Sequence, residues 1–100
     1  MRPDVIVAGG GHNALVAAAY LGRAGKRVLL LERRDQLGGA AVSERVFAGI
    51  DARGSRYAYL VTLFPERIAR DLHIPLVLRD RRIAAYAPAV RDGRHDELGC

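Results

Sequence analysis

The sequence predicts an α/β fold built on a β-α-β unit, and three observations predict it. Asp4-Val5-Ile6-Val7-Ala8 is a short apolar, β-branched run without polar alternation, the pattern of a parallel strand covered on both faces. Gly9-Gly10-Gly11 follows it and opens an alanine-rich stretch. Val28-Leu29-Leu30-Leu31 is a second apolar run, and it ends in the acid Glu32.

Each element has a local cause. The glycines let the chain turn sharply after the first strand and let its backbone approach a ligand with no Cβ in the way. A helix is predicted over His12 to Ala24, because Ala14, Leu15, Val16, Ala17, Ala18, Ala19 and Leu21 are helix formers with mostly small side chains. Arg23 and Lys26 stand near its end, where cations favour the helix dipole, and Gly25 is the predicted cap. The crossover back to Val28–Leu31 is expected to be right-handed.

Such a corner points free backbone N–H groups and the positive end of the helix dipole at an anion. Glu32 follows Ala14 by 18 residues, near the roughly 20-residue spacing of the acid that binds a ribose hydroxyl. A glycine fingerprint alone is a weak signal. Strand, turn, helix, strand and terminal acid together specify a dinucleotide site and a Rossmann-like unit. Gly9, Gly10 and Gly11 form its turn, with a merely loose turn as the alternative at Gly10. Ala14 takes the third small position, where helix and strand pack closely and a methyl group is tolerated. His12 and Asn13 fall in the first helical turn and offer their backbone N–H groups to the phosphates. No acid or nucleophile is spaced to make His12 catalytic, so the catalytic residues stay unknown.

After Glu32 the chain reads Arg33-Arg34-Asp35-Gln36-Leu37-Gly38-Gly39-Ala40-Ala41-Val42-Ser43-Glu44. This stretch resembles FAD-dependent oxidoreductases of the phytoene desaturase-related group, including the pyridine nucleotide-disulfide oxidoreductase domain-containing protein 2 type. Gly9 to Ala18 is similar to the same group, as is the run from Ser55-Arg56-Tyr57-Ala58-Tyr59-Leu60 through Pro65 to Leu72. The resemblance covers about residues 4 to 88 and loses specificity after Gly39. It implies an FAD cofactor, with Gly9, Gly11 and Ala14 beneath the pyrophosphate, Glu32 on the adenosine ribose, and Gly38 and Gly39 near the cofactor. It also implies hydride transfer from a lipid-like or carotenoid-like substrate to the flavin. Arg33 either covers the adenine side, reaches a phosphate, or is a solvated charge beside the strand end. Arg33 and Arg34 raise NADP as an alternative, since an arginine here can meet a 2′-phosphate. Glu32 would repel that phosphate, and the Gly38-Gly39 pair tips the balance to FAD.

Beyond Gly39 the expectations are coarser. Ala40 to Ser43 forms either one helical turn or an extended segment. Val46 to Ile50 is expected as a short strand interrupted by a turn. Ile50-Asp51-Ala52-Arg53-Gly54 fits the apolar-Asp-x-Gly pattern of related flavoproteins with one extra residue, which argues against a flavin contact at Asp51 or Gly54. Tyr57 and Tyr59 either line a substrate channel or serve packing. A helix is predicted over Pro65 to Leu72, with proline in the first turn and Ile68, Ala69 and Leu72 as its apolar stripe. Leu76–Leu78 and Ile83–Tyr86 read as strands joined by the polar turn Arg79-Asp80-Arg81-Arg82.

Residues 1–45 are thus expected to be the cofactor-binding unit and 46–90 the start of the following cofactor and substrate segment. Residues 91–100 are expected to be an irregular tail not native to the fold, as in a truncated or frameshifted product. A doubly wound domain needs more than two parallel strands to cover its sheet, so the unit is an incomplete one. A missing C-terminal portion or a partner chain is the expected complement. The competing expectation is a stand-alone nucleotide-binding fragment without catalysis.

Composition narrows the classes. The net charge of +5 in 100 residues is carried almost wholly by arginines scattered among acids. No basic helix face or interleaved stacking aromatics accompany them, which argues against a nucleic-acid partner. Cys100 is the single cysteine, which leaves no internal disulfide and no dithiol chemistry. His12, His73 and His95 lack metal-ligand spacing, and no metal is expected. No apolar run approaches the roughly 18 residues of a membrane span, and the cytoplasm is the expected location.

Overall fold

The parallel pair is where the two apolar runs meet. A computed structural model describes every residue except Met1, Tyr59, Thr62, Ala84 and Cys100. Strand β1 (Val5–Ala8) lies parallel to β2 (Val28–Leu31), with Val5 opposite Val28 and Ala8 opposite Leu31. Asp4 and Arg27 fasten the two strands where they begin. The guanidinium grips the carboxylate through Nη2 to Oδ1 at 2.7 Å and Nε to Oδ2 at 3.0 Å, while Asp4 N–H donates to the Arg27 carbonyl at 2.8 Å.

Helix α1 (His12–Arg23) connects them and packs on both. It stops one residue before the expected end, for a local reason. Gly25 takes a left-handed φ of +79°, its N–H donates to the Gly22 carbonyl at 3.0 Å, and that of Lys26 donates to the Leu21 carbonyl at 3.0 Å. These two bonds satisfy carbonyls that the helix end leaves free. Only one sheet face is covered among the described residues: Val5, Val7, Val28 and Leu30 are half-buried, whereas Ile6, Leu29 and Leu31 are exposed. The expectation of strands apolar and covered on both faces is met in composition and not in burial.

Among the described residues, the rest of the chain forms two antiparallel hairpins and one short helix. Gly39 and Ala40 form a turn, and extended chain follows into β3 (Ser43–Arg45), which pairs with β4 (Arg53–Ser55). The strand expected over Val46–Ile50 is absent; that segment is the hairpin loop. The pairing residues are the polar ones because Glu44 finds Arg56 across the hairpin. Val46, Phe47 and Ile50 remain exposed, and Gly49 turns the loop at φ +77°. Helix α2 (Glu66–Asp71) starts after Pro65, whose extended backbone makes it the N-cap. Its C-terminal end is tied to α1: Tyr20 Oη donates to Asp71 Oδ2 at 2.7 Å, and Arg23 donates to the Asp71 carbonyl.

Two further expectations are corrected. Leu76–Leu78 is not a strand, and Arg79–Arg82 does not join a hairpin. The strand expected to end at Tyr86 instead begins there: β5 (Tyr86–Arg91) pairs antiparallel with β6 (Arg94–Gly99). Residues 91–99 are therefore regular, not irregular. Asp92 and Gly93 both have positive φ, 48° and 70°, the conformation of the two-residue turn that Asp-Gly favours. Among the described residues each sheet has two strands, so each is an edge there and Pro88 is tolerated in β5. The chain measures 66 × 30 × 20 Å with a radius of gyration of 19.0 Å, against about 13 Å for a compact chain of this length. Val42 alone forms a buried apolar core position among the described residues.

Candidate nucleotide-binding site

The glycine corner sits at the C-terminal end of the parallel pair. Gly9 continues the ladder, its N–H donating to the Leu31 carbonyl at 2.7 Å, and then turns away at φ +96°. That left-handed angle requires glycine. Gly11 is the N-cap of α1 and has an ordinary extended backbone, φ −71° and ψ 169°. Its carbonyl accepts the Leu15 N–H at 2.9 Å. Among the described residues no side chain caps the helix start, and its first turn holds no acid. The N–H groups of that turn lack partners within the helix, and the Gly11–Gly38 bridge brings the second glycine pair against them.

Two segments close on this corner. Just past β2, Glu32 Oε2 accepts the Gly10 N–H at 2.6 Å and Oε1 accepts the Arg34 N–H at 2.9 Å. From further along, Gly38 N–H donates to the Gly10 carbonyl at 2.7 Å, and Gly11 and Gly38 form a parallel bridge. A Cβ on Gly39 would stand 3.0 Å from Gly11 Cα. The first and second glycine clusters, far apart in sequence, are thus one surface. The N–H groups of Arg34, then Gly10 and Arg33, together with the charge of Arg34, hold the Glu32 carboxyl below the ordinary carboxylate range, against the opposing effect of burial.

Gly10 is not a loose turn. It is buried, and a Cβ there would stand 2.5 Å from Leu37 Cδ2 and 3.1 Å from Glu32 Oε2. Gly11 is the opposite case: where its Cβ would be, no described atom lies within 4 Å. Ala14 is half-buried where helix and strand meet, while His12, Asn13, Arg33 and Arg34 are exposed around the corner. A cavity of about 100 Å³ opens beside the corner, lined by Glu32, Arg34, Gln36, Gly39, Val42 and Arg56. A larger hollow of about 430 Å³, lined by Ala58, Leu60, Val61 and Leu78–Arg81, contains none of the glycine-corner residues.

Among the positions considered for flavin or substrate contact, Asp51 pairs with Arg45 at 2.9 Å in the open, Gly54 lies in β4, and Tyr57 is 74% exposed. Tyr59 and Cys100 lie outside the described residues. No group of three or more potential metal ligands occurs among the described residues, and no helix is long and apolar enough to cross a membrane. Sequence reasoning missed Arg56, which lines the cavity, and Glu44, which pairs with it; no motif spacing marks such a pair.

Residues 7–72 match the NAD(P)-binding Rossmann-like domain family. The chain belongs to that family. This Rossmann-like domain is 59% identical over 86 residues to an uncharacterised protein of Mycobacterium tuberculosis, covering 86% of this chain and 16% of that protein. It is 40% identical over 98 residues to pyridine nucleotide-disulfide oxidoreductase domain-containing protein 2 of Mus musculus, covering 95% of this chain and 16% of that protein. It is 33% identical over 102 residues to polyamine oxidase 5 of Oryza sativa, covering 92% of this chain and 21% of that protein. The resemblance inferred from the residues is therefore met, and the mouse similarity extends past residue 88. The chain spans about one sixth of the length of the first two relatives. No solved structure matches it.

Proposed function

We propose that this Rossmann-like domain binds FAD and is the N-terminal, cofactor-binding part of a flavin-dependent oxidoreductase. Gly11 carries the proposal. Its backbone suits any residue and the space at its Cβ is open, so no described neighbour demands glycine there. A ligand lying against the backbone does, and a pyrophosphate at a helix N-terminus is the ligand such a corner fits. In this reading Gly9, Gly10, Gly11, His12, Asn13 and Ala14 form the phosphate corner, the first-turn N–H groups being the donors. Glu32 binds a ribose hydroxyl, Gly38 and Gly39 form the second wall, and Arg33 flanks the adenine side.

The choice of FAD over NADP rests on Glu32 and the second glycine pair. The carboxylate is fixed by backbone N–H donors and ionised, and it repels a 2′-phosphate. FAD, when bound, supplies the hydride acceptor; the residues of this chain bind and orient it, and none of them is assigned a proton transfer. The names of the mouse and rice relatives, an oxidoreductase-domain protein and a polyamine oxidase, support oxidoreductase chemistry in the whole protein. The cytoplasm is its proposed location.

The test is a titration of the purified chain with FAD, with NADP as control, following flavin fluorescence and thermal unfolding together. Saturable FAD binding that raises the melting temperature, with none for NADP, is the expected result. A folded chain that ignores FAD overturns the proposal.

A further inference from the structure

Val42, 5% exposed, lies where the second glycine pair meets the β3–β4 hairpin. Its Cγ2 is 2.8 Å from the position a Cβ on Gly38 would take. Its carbonyl accepts the Arg56 N–H at 2.8 Å. The Arg56 side chain then returns to Glu44 on β3 in a two-bond fork, Nε to Oε1 at 2.9 Å and Nη2 to Oε2 at 2.6 Å. At 25% exposure the Arg56 side chain is the least exposed arginine of the four ion pairs among the described residues. Arg56 and Val42 share the 100 Å³ cavity with Gly39 and Glu32.

The glycine pair needs such support. Gly38 and Gly39 both have positive φ, 119° and 62°, and two consecutive glycines lose more chain freedom on ordering than other residues. The Gly38 N–H to Gly10 carbonyl bond and the Gly11–Gly38 bridge tie the first glycine of the pair directly to the corner. We propose that the Glu44–Arg56 fork is a clamp which, through Val42, fixes the Gly38-Gly39 turn against Gly11, making Glu44 and Arg56 positioning residues for the dinucleotide. The inference rests on the FAD reading above. A planar fork gives direction that a lysine ammonium does not, so Arg56→Lys is not a conservative change here.

The experiment is an FAD titration by flavin fluorescence, with thermal melts of the ligand-free samples. It compares the parent, Glu44→Gln, Arg56→Met, Arg56→Lys, the double variant E44Q/R56M and the exchanged pair E44R/R56E. Each single variant is expected to weaken FAD binding about tenfold, the double variant no more than either single one, and the exchanged pair to recover part of the loss. A fork that merely stiffens the hairpin moves the melts and leaves the FAD dissociation constants at the parent value. That result overturns the clamp and leaves the FAD reading standing. Losses that add in the double variant overturn it equally. If a single variant fails to fold, Glu44→Asp keeps the charge and retracts the carboxylate by one methylene. A weakened FAD affinity is then expected, and an unchanged one overturns the clamp. A folded parent with no saturable FAD binding overturns both the reading and the clamp.

Discussion

Gly10 and Glu32 hold each other in place: the Gly10 N–H donates to Glu32 Oε2 at 2.6 Å, and a Cβ on Gly10 would stand 3.2 Å from Glu32 Cβ. The glycine is what lets the acid approach, and the acid is what fills the space the glycine leaves. Gly10→Ala is therefore expected to displace Glu32 and Leu37 together. Amide chemical shifts at Gly10, Glu32 and Arg34 report the displacement, and unchanged shifts at all three contradict the packing described.

Gly9 and Gly11 separate structural from ligand demand. Gly9→Ala meets no clash, but its φ of +96° strains any side chain, and the melting temperature is expected to fall, the cost being about 1 kcal/mol or more. At Gly11 the backbone suits a side chain and a Cβ meets no described atom within 4 Å, so the melt of free Gly11→Val is expected to stay near the parent while FAD binding is lost. A Gly11→Val chain that binds FAD normally removes the pyrophosphate from this corner.

Glu32→Ala is expected to weaken FAD binding by about tenfold or more, the loss of a charge-assisted hydrogen bond. The same change is expected to relax discrimination against NADP. An FAD affinity equal to the parent's places the ribose elsewhere.

The pH dependence follows from direction. Asp4, Glu32, Glu44 and Asp71 are all held below the ordinary carboxylate range, by Arg27, by the Arg34 and Gly10 N–H groups, by Arg56 and by Tyr20 respectively. Each is more acidic folded than unfolded, so the unfolded chain binds more protons at low pH. Their stabilisation is fully present above the ordinary carboxylate values and is lost as pH falls through the lowered ones. Chemical denaturation in an acid series is expected to show a plateau at neutral pH and a decline only below that range. A decline beginning near pH 7 contradicts the assignment.

Gly93, at φ +70° after Asp92 at φ +48°, tests the second hairpin. Gly93→Val puts a β-branched residue in the left-handed region, a cost of about 1–2 kcal/mol. Amide exchange across β5 and β6 is expected to quicken while β1 and β2 keep their protection; equal exchange in parent and variant denies the turn.

The β-α-β unit is legible in the sequence because its signals are local and agree: apolar runs, a glycine break, alanines in between and Gly25 at the end. Val28–Leu31 matches residue for residue, and α1 differs by one. The first hairpin misleads because apolar Val46, Phe47 and Ile50 suggest a strand, while the pairing is set by Glu44 and Arg56 across the turn. The second misleads for the opposite reason. Arg79–Arg82 looks like a turn by polarity, yet the stronger signal is Asp92-Gly93. In the candidate site, the glycines and Glu32 can be named from sequence. Two things cannot: that Gly10 is the buried one, and that Arg56 stands on the same wall. Both depend on where two distant segments cross.

The connections that build the corner each span roughly a quarter of the chain. Glu32 reaches Gly10 across 22 residues, and Gly38 comes after the same glycine by 28. The ring-closing entropy of such loops grows only slowly with length, but it must be met before these non-local contacts form. The corner therefore closes only after α1 has formed from its local contacts and the second glycine pair has been made, so its assembly waits on the meeting of separate segments.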